Sequence, residues 1–128
     1  MLIFLALSAA VWLPYGLYCL ANPAFLAEAA GVVAGSATGT TELRAMYGGL
    51  QAGIGAFALA SLWRARWRHA VLLCIAFLCG GLLLARAIGV ALDASATSYT
   101  VAGLGFEALS VAFAVALLHR AGPTPAAA

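Results

Sequence analysis

A chain of 128 residues that is 66% hydrophobic and only 8% charged, with mean hydropathy +1.07, cannot clothe itself for water; a soluble domain carries roughly 25% charged residues. Six basic against four acidic side chains leave a net charge of +2, too little and too close to the apolar runs for a nucleic-acid surface. Composition therefore excludes a water-soluble enzyme and a nucleic-acid binder, and it requires lipid around most of the protein.

The first apolar run covers residues 1–21, close to the ~20 residues that cross a ~30 Å hydrocarbon core. It lacks the basic start and small-residue cleavage zone of a secretory signal, so an uncleaved span is expected. Pro14 interrupts its backbone bonding, which neighbouring helices tolerate in lipid. Pro23 can open a short interfacial helix, Pro23 to Ala30, which Gly31 stops. Residues 31–41 (GVVAGSATGTT) read as an outer loop, with Thr40 or Thr41 capping the next helix. Further spans follow at about 43–63, 70–92 and 101–118. Tyr99 and His119 bracket the last and shortest of them. The residues are Ala, Leu, Gly and Val without strand-like alternation, so helices are expected. The fold class is all-α: one transmembrane domain, a bundle of four transmembrane helices with a short interfacial helix after the first span. The Pro-rich end, 121–128, reads as a disordered tail.

Charge placement gives an orientation. Arg64-Ala65-Arg66-Trp67-Arg68-His69 holds half of the six arginines, and basic loops stay on the cytoplasmic side. Both termini are then cytoplasmic, while Glu28 and Asp93 fall in outer loops. His69 and His119 lie beside arginines at the inner interface and read as solvated groups. Cys19, Cys74 and Cys79 form no metal or redox motif, and no metal or cofactor is expected.

Small residues recur at four-residue spacing: Gly48, Ala52, Ala56 and Ala60 on the second span, with Gly49 and Gly53 beside them, and Gly81, Ala85 and Gly89 on the third. Such stripes let helix backbones approach closely. They suit the bundle itself, a homodimer or a larger membrane partner.

The polar residues inside the spans are the informative ones. On an α-helix, Arg44, Tyr47, Gly48 and Gln51 share an arc of about 100°, and Glu42 points nearly opposite to Arg44. Glu42 also suits the positive end of the helix dipole. Counting from the outer boundary, Tyr47 lies about 8 Å deep, Gln51 about 14 Å and Glu107 about 12 Å. Arg86 falls in the same outer half, as do Tyr15 and Tyr18 on the first span. A carboxylate as short as that of Glu107 cannot reach water from this depth, so it must be protonated, paired or wet. Pairing with Arg86, and with Arg44 in addition, is the simplest account. A register-fixing ion pair needs no ligand. A pocket on Arg44, Tyr47, Gln51 and Arg86 would take a polar or anionic group.

Four stretches together look familiar: G-L-Y-x-L-x-x-P from Gly16 to Pro23, E-L-R-A-M-Y-G-G-L-Q-x-G from Glu42 to Gly53, G-G-L-L-L-A-R-A-I-G from Gly80 to Gly89, and the lone Glu107. This pattern resembles a family of small bacterial four-span membrane proteins known as domain of unknown function 4345. The resemblance covers nearly the whole chain and implies fold and a bacterial inner-membrane location, but no reaction. It also implies that Glu42, Arg44, Tyr47, Arg86 and Glu107, the polar positions of the pattern, act as one unit. The favoured function is binding, or easing the passage of, a small amphiphilic molecule in the outer half of the bilayer. The alternatives are an accessory subunit of a larger membrane complex, and a membrane isomerase or cyclase with Glu107 as acid/base.

Overall fold

A computed structural model describes residues 1–94 and 96–121. The described chain forms α1 (Leu2–Ala21), α2 (Phe25–Ala30), α3 (Ala37–Leu43), a π-helical turn (Arg44–Gly49), α4 (Leu50–Trp63), a 3-10 turn (Ala65–Trp67), α5 (Arg68–Asp93) and α6 (Ser98–Ala121). Four helical stretches are long and apolar enough to cross a membrane: Leu2–Ala21, Ala37–Trp63, Ala65–Asp93 and Ser98–Ala121. The protein is an all-α, multi-pass membrane protein. Side chains such as Ile3, Phe77 and Leu92, each more than three-quarters exposed, make sense only against lipid. Of the expected tail, Ala121 closes α6, and residues 122–128 lie outside the described residues.

The first connection keeps the expected stop, but α2 opens at Phe25 rather than Pro23, with Ala24 as its N-cap. α2 ends at Gly31, whose φ of +70° is the left-handed conformation that suits glycine, and its N–H donates to the Ala27 carbonyl at 3.2 Å. The second span starts earlier than its apolarity indicates. Ser36, not Thr40 or Thr41, is the cap: its backbone is extended and its Oγ accepts from the Gly39 N–H at 3.1 Å. The two threonines sit inside the helix instead, donating to the carbonyls of Ser36 and Ala37 at 3.2 Å each. The loop before it accordingly shrinks, and Glu42 lies more than a turn inside the helix rather than at its dipolar end. α6 is likewise longer than the expected 101–118 segment.

The chain divides into two compact units, Met1–Ala65 and a second beginning at Arg66. In the first, α1 runs along the π turn and α4 with almost no space between backbones. A Cβ on Gly48 would stand 2.8 Å from the Cα of Leu20, and one on Gly55 would stand 2.6 Å from the Cα of Leu13. Gly16 answers from α1, pressed against Ala52 and Gly48. Gly48 and Ala52, expected as packing positions, hold that role, whereas Gly49 and Gly53 do not. A Cβ on Gly53 meets nothing within 4 Å, and one on Gly49 meets only a carbonyl of its own helix. Gly81 on α5 is open too. Leu5, Ala9, Trp12, Gly16 and Cys19 are buried on α1, at the alternating spacing of three and four residues that keeps one helix face inward.

In the second unit α5 and α6 form an antiparallel hairpin. Gly80 lies against Val111, and nearly two turns further along α5 the chain reaches Arg86, which meets Gly103 on α6. Buried positions are Val71, Leu72, Ile75 and Cys79 on α5, and Glu107, Ser110 and Ala114 on α6. All three cysteines are free thiols, with Cys19 and Cys79 buried and Cys74 half-buried.

Candidate functional site

Arg44 opens the π turn, directly before the point where Gly48 lets α1 and the second span touch. That close approach is what brings its guanidinium to α1. Arg44 Nε donates to the Leu20 carbonyl at 3.2 Å. Leu20 belongs to the last turn of α1, where carbonyls lack intrahelical partners and the dipole is negative. A cation is favoured there twice over. The side chain is nonetheless exposed, and its two terminal amino groups make no hydrogen bond among the described residues. Beside it, Tyr18 stacks edge-on against Phe25 of α2, with ring centroids 5.1 Å apart, and Asn22 Nδ2 donates to the Tyr18 hydroxyl at 3.4 Å. Tyr15 is half-buried, one turn before the buried Cys19.

Tyr47 and Gln51 are half-buried, and neither makes a side-chain hydrogen bond among the described residues. The arc calculated for a plain α-helix does not carry over to them. A π turn inserts one residue into the helical ladder, so everything beyond Gly49 is rotated by about 100° relative to Arg44. Gln51 is therefore displaced from the Arg44 face, while Tyr47 lies within the widened turn. Turns of this kind occur disproportionately at functional positions. Glu42 is exposed on α3, the helix preceding this turn.

In the second unit, Arg86 and Glu107 come together as their depths predict. Arg86 Nη2 donates to Glu107 Oε1 at 2.8 Å, and Nε donates to Oε1 and Oε2 at 3.2 and 3.1 Å. The side chains are 27% and 4% exposed respectively. A carboxylate held by both the ε and a terminal nitrogen of a guanidinium is fixed in orientation. The guanidinium carbon also lies 6.0 Å from the Tyr99 ring centroid, within cation–π range. Further along the same interface Cys79 and Ser110 are both buried. Arg44, by contrast, takes the α1 carbonyl as its partner.

One residue of this arrangement escaped notice in the sequence. Gly103 lies one turn before Glu107 on α6, and a Cβ there would stand 2.9 Å from Arg86 Cζ and 3.0 Å from Nε. Its missing side chain is the slot through which the guanidinium reaches the carboxylate. The signal that identifies it is a glycine four residues before an intramembrane Glu, so that both share a helix face.

No curated protein and no solved structure matches the chain. One family model does, over residues 1–118, and that stretch holds both the Arg44 turn and the Arg86–Glu107 pair. The chain belongs to the family described as Domain of unknown function (DUF4345).

Proposed function

We propose that the protein binds, or eases the passage of, a small amphiphilic molecule whose polar or anionic group meets Arg44. The observation that supports this most is the way Arg44 is held. Its Nε is committed to the Leu20 carbonyl, so the side chain is oriented while its terminal nitrogens stay available. Tyr47 and Gln51 supply further hydrogen-bonding capacity on the same span, left unused among the described residues. Polar groups ordered in this way in an apolar setting are the usual orienting elements of a ligand site. Arg86 is assigned to its pair with Glu107. A carboxylate so fully occupied makes a poor proton donor, which weighs against acid/base chemistry there.

Native mass spectrometry of the gently purified protein tests the reading. The wild type is expected to carry a stoichiometric small molecule, which Arg44→Gln loses while keeping its helical content and thermal unfolding. Identical spectra for the two proteins, laden or bare, would overturn it.

We place the protein in the bacterial inner membrane with both termini on the cytoplasmic side. Arg64 and Arg66 lie between α4 and α5, Arg68 opens α5, and Arg120 lies in the last turn of α6, so every basic residue except Arg44 and Arg86 falls at the ends assigned inward. Reporter fusions after Arg120 and within residues 31–36 are expected to read inside and outside respectively, and the opposite pair of signals refutes the assignment.

A further inference from the structure

We infer that the Arg66 end of the α5–α6 hairpin is a binding surface for the phosphodiester headgroups of anionic phospholipids. Arg66 and Trp67 lie on the 3-10 turn, Arg68 and His69 open α5, and His119 and Arg120 occupy the last turn of α6. The antiparallel register in which Gly80 meets Val111 carries the start of α5 to the end of α6, so three arginines and two histidines gather at one end of this unit. Its two acidic side chains are elsewhere. Asp93 is the last residue of α5, at the far end, and Glu107 is taken by Arg86 inside the hairpin.

Helix electrostatics accounts for only part of this charge. His119 and Arg120 suit the negative C-terminal end of α6. Arg68 and His69 occupy the positive N-terminal end of α5, with Arg66 just before it, where a cation is disfavoured. Charge placed against the dipole, with both acidic side chains of the unit elsewhere, suits an anion from outside. The position at the end of two membrane-spanning helices says which anion. The Trp67 indole is of the kind that settles at the headgroup level, and the Arg66 guanidinium carbon lies 5.7 Å from its ring centroid, which holds a phosphate-binding fork at that same level. A phosphodiester is a permanent monoanion with two acceptor oxygens, matched to the paired N–H groups of arginine.

The full chain in detergent micelles, offered equal amounts of phosphatidylglycerol and phosphatidylcholine with identical acyl chains, provides the test, with retained lipids counted by native mass spectrometry. Wild type is expected to retain phosphatidylglycerol preferentially. At about 1 kcal/mol, or roughly fivefold, per arginine near an anionic headgroup, Arg66→Gln reduces the preference several-fold. The triple variant Arg66→Gln, Arg68→Gln, Arg120→Gln reduces it more than tenfold. Asp93→Asn, at the far end of the hairpin, leaves it unchanged, which ties the preference to the arginine end. Equal retention of the two lipids by wild type would overturn the inference, as would a preference that survives in the triple variant or vanishes in Asp93→Asn. Displacement of the lipid by inorganic phosphate alone would also overturn it, because the site would then be one for free anions.

Discussion

Arg86→Met is expected to destabilise the protein by about 3 kcal/mol, within the range for breaking a buried ion pair by removing one partner. The asymmetry of burial makes this the costlier single change. Without its guanidinium, the Glu107 carboxylate is stranded at 4% exposure, too short to reach water, and must take up a proton. Glu107→Gln is milder, about 1–2 kcal/mol. The amide still offers Arg86 an acceptor, and Arg86, at 27% exposure, has length enough to extend toward the interface. The double variant Arg86→Met, Glu107→Leu removes both charges, and its cost is expected to fall short of the sum of the single Met and Leu variants by about 2 kcal/mol. Gly103→Ala reports on the same pair from the third side. The added methyl displaces the guanidinium from its slot and weakens the bridge by about 1 kcal/mol. Reversible unfolding in mixed micelles measures all of these. Strict additivity of the two single variants would mean that the bridge contributes nothing to holding α5 on α6.

That pair was legible in the sequence because ionisable residues stand out in apolar helices and because a rise of 1.5 Å per residue puts Arg86 and Glu107 in the same half of the bilayer. The four spans and the Gly31 stop were legible for equally local reasons. The start of the second span was not. Residues 37–43, ATGTTEL, are barely apolar, and a hydropathy reading assigns them to the loop, whereas the Ser36 cap and the hydroxyl-to-carbonyl bonds of Thr40 and Thr41 are helix-forming features that hydropathy does not weigh. The π turn was beyond reach for a different reason. Nothing in the side chains of RAMYGG announces a five-residue backbone bond, and projecting Arg44, Tyr47 and Gln51 onto one α-helical face assumed a ladder that the chain does not keep. Glycines were the hardest to sort. Their spacing identifies candidates for close packing but not which of two adjacent stripes the neighbouring helix occupies, so Gly48 was flagged together with Gly49 and Gly53, and Gly55 not at all.

Gly55→Ala is expected to cost about 1–3 kcal/mol, the toll of overpacking a filled interface, and Gly53→Ala to be neutral or slightly stabilising. The two substitutions add the same methyl two residues apart on one helix, so propensity is a shared term that favours alanine by up to about 1 kcal/mol in both. What differs is the obstacle. At Gly55 the new Cβ would stand 2.6 Å from both the Cα and the Cβ of Leu13. The Cα belongs to the α1 backbone and cannot swing aside as a side-chain tip can. The helices must separate, and in lipid, where close packing rather than water exclusion holds helices together, separation forfeits contact along the whole Gly16–Gly48–Gly55 seam. At Gly53 the methyl projects into open space. Unfolding of the two variants in the same micelles measures the difference directly. A loss at Gly53 equal to that at Gly55 would mean that a second surface already covers Gly53 in the purified protein, and a shift in oligomer mass in Gly53→Ala would identify that surface as another copy of the chain.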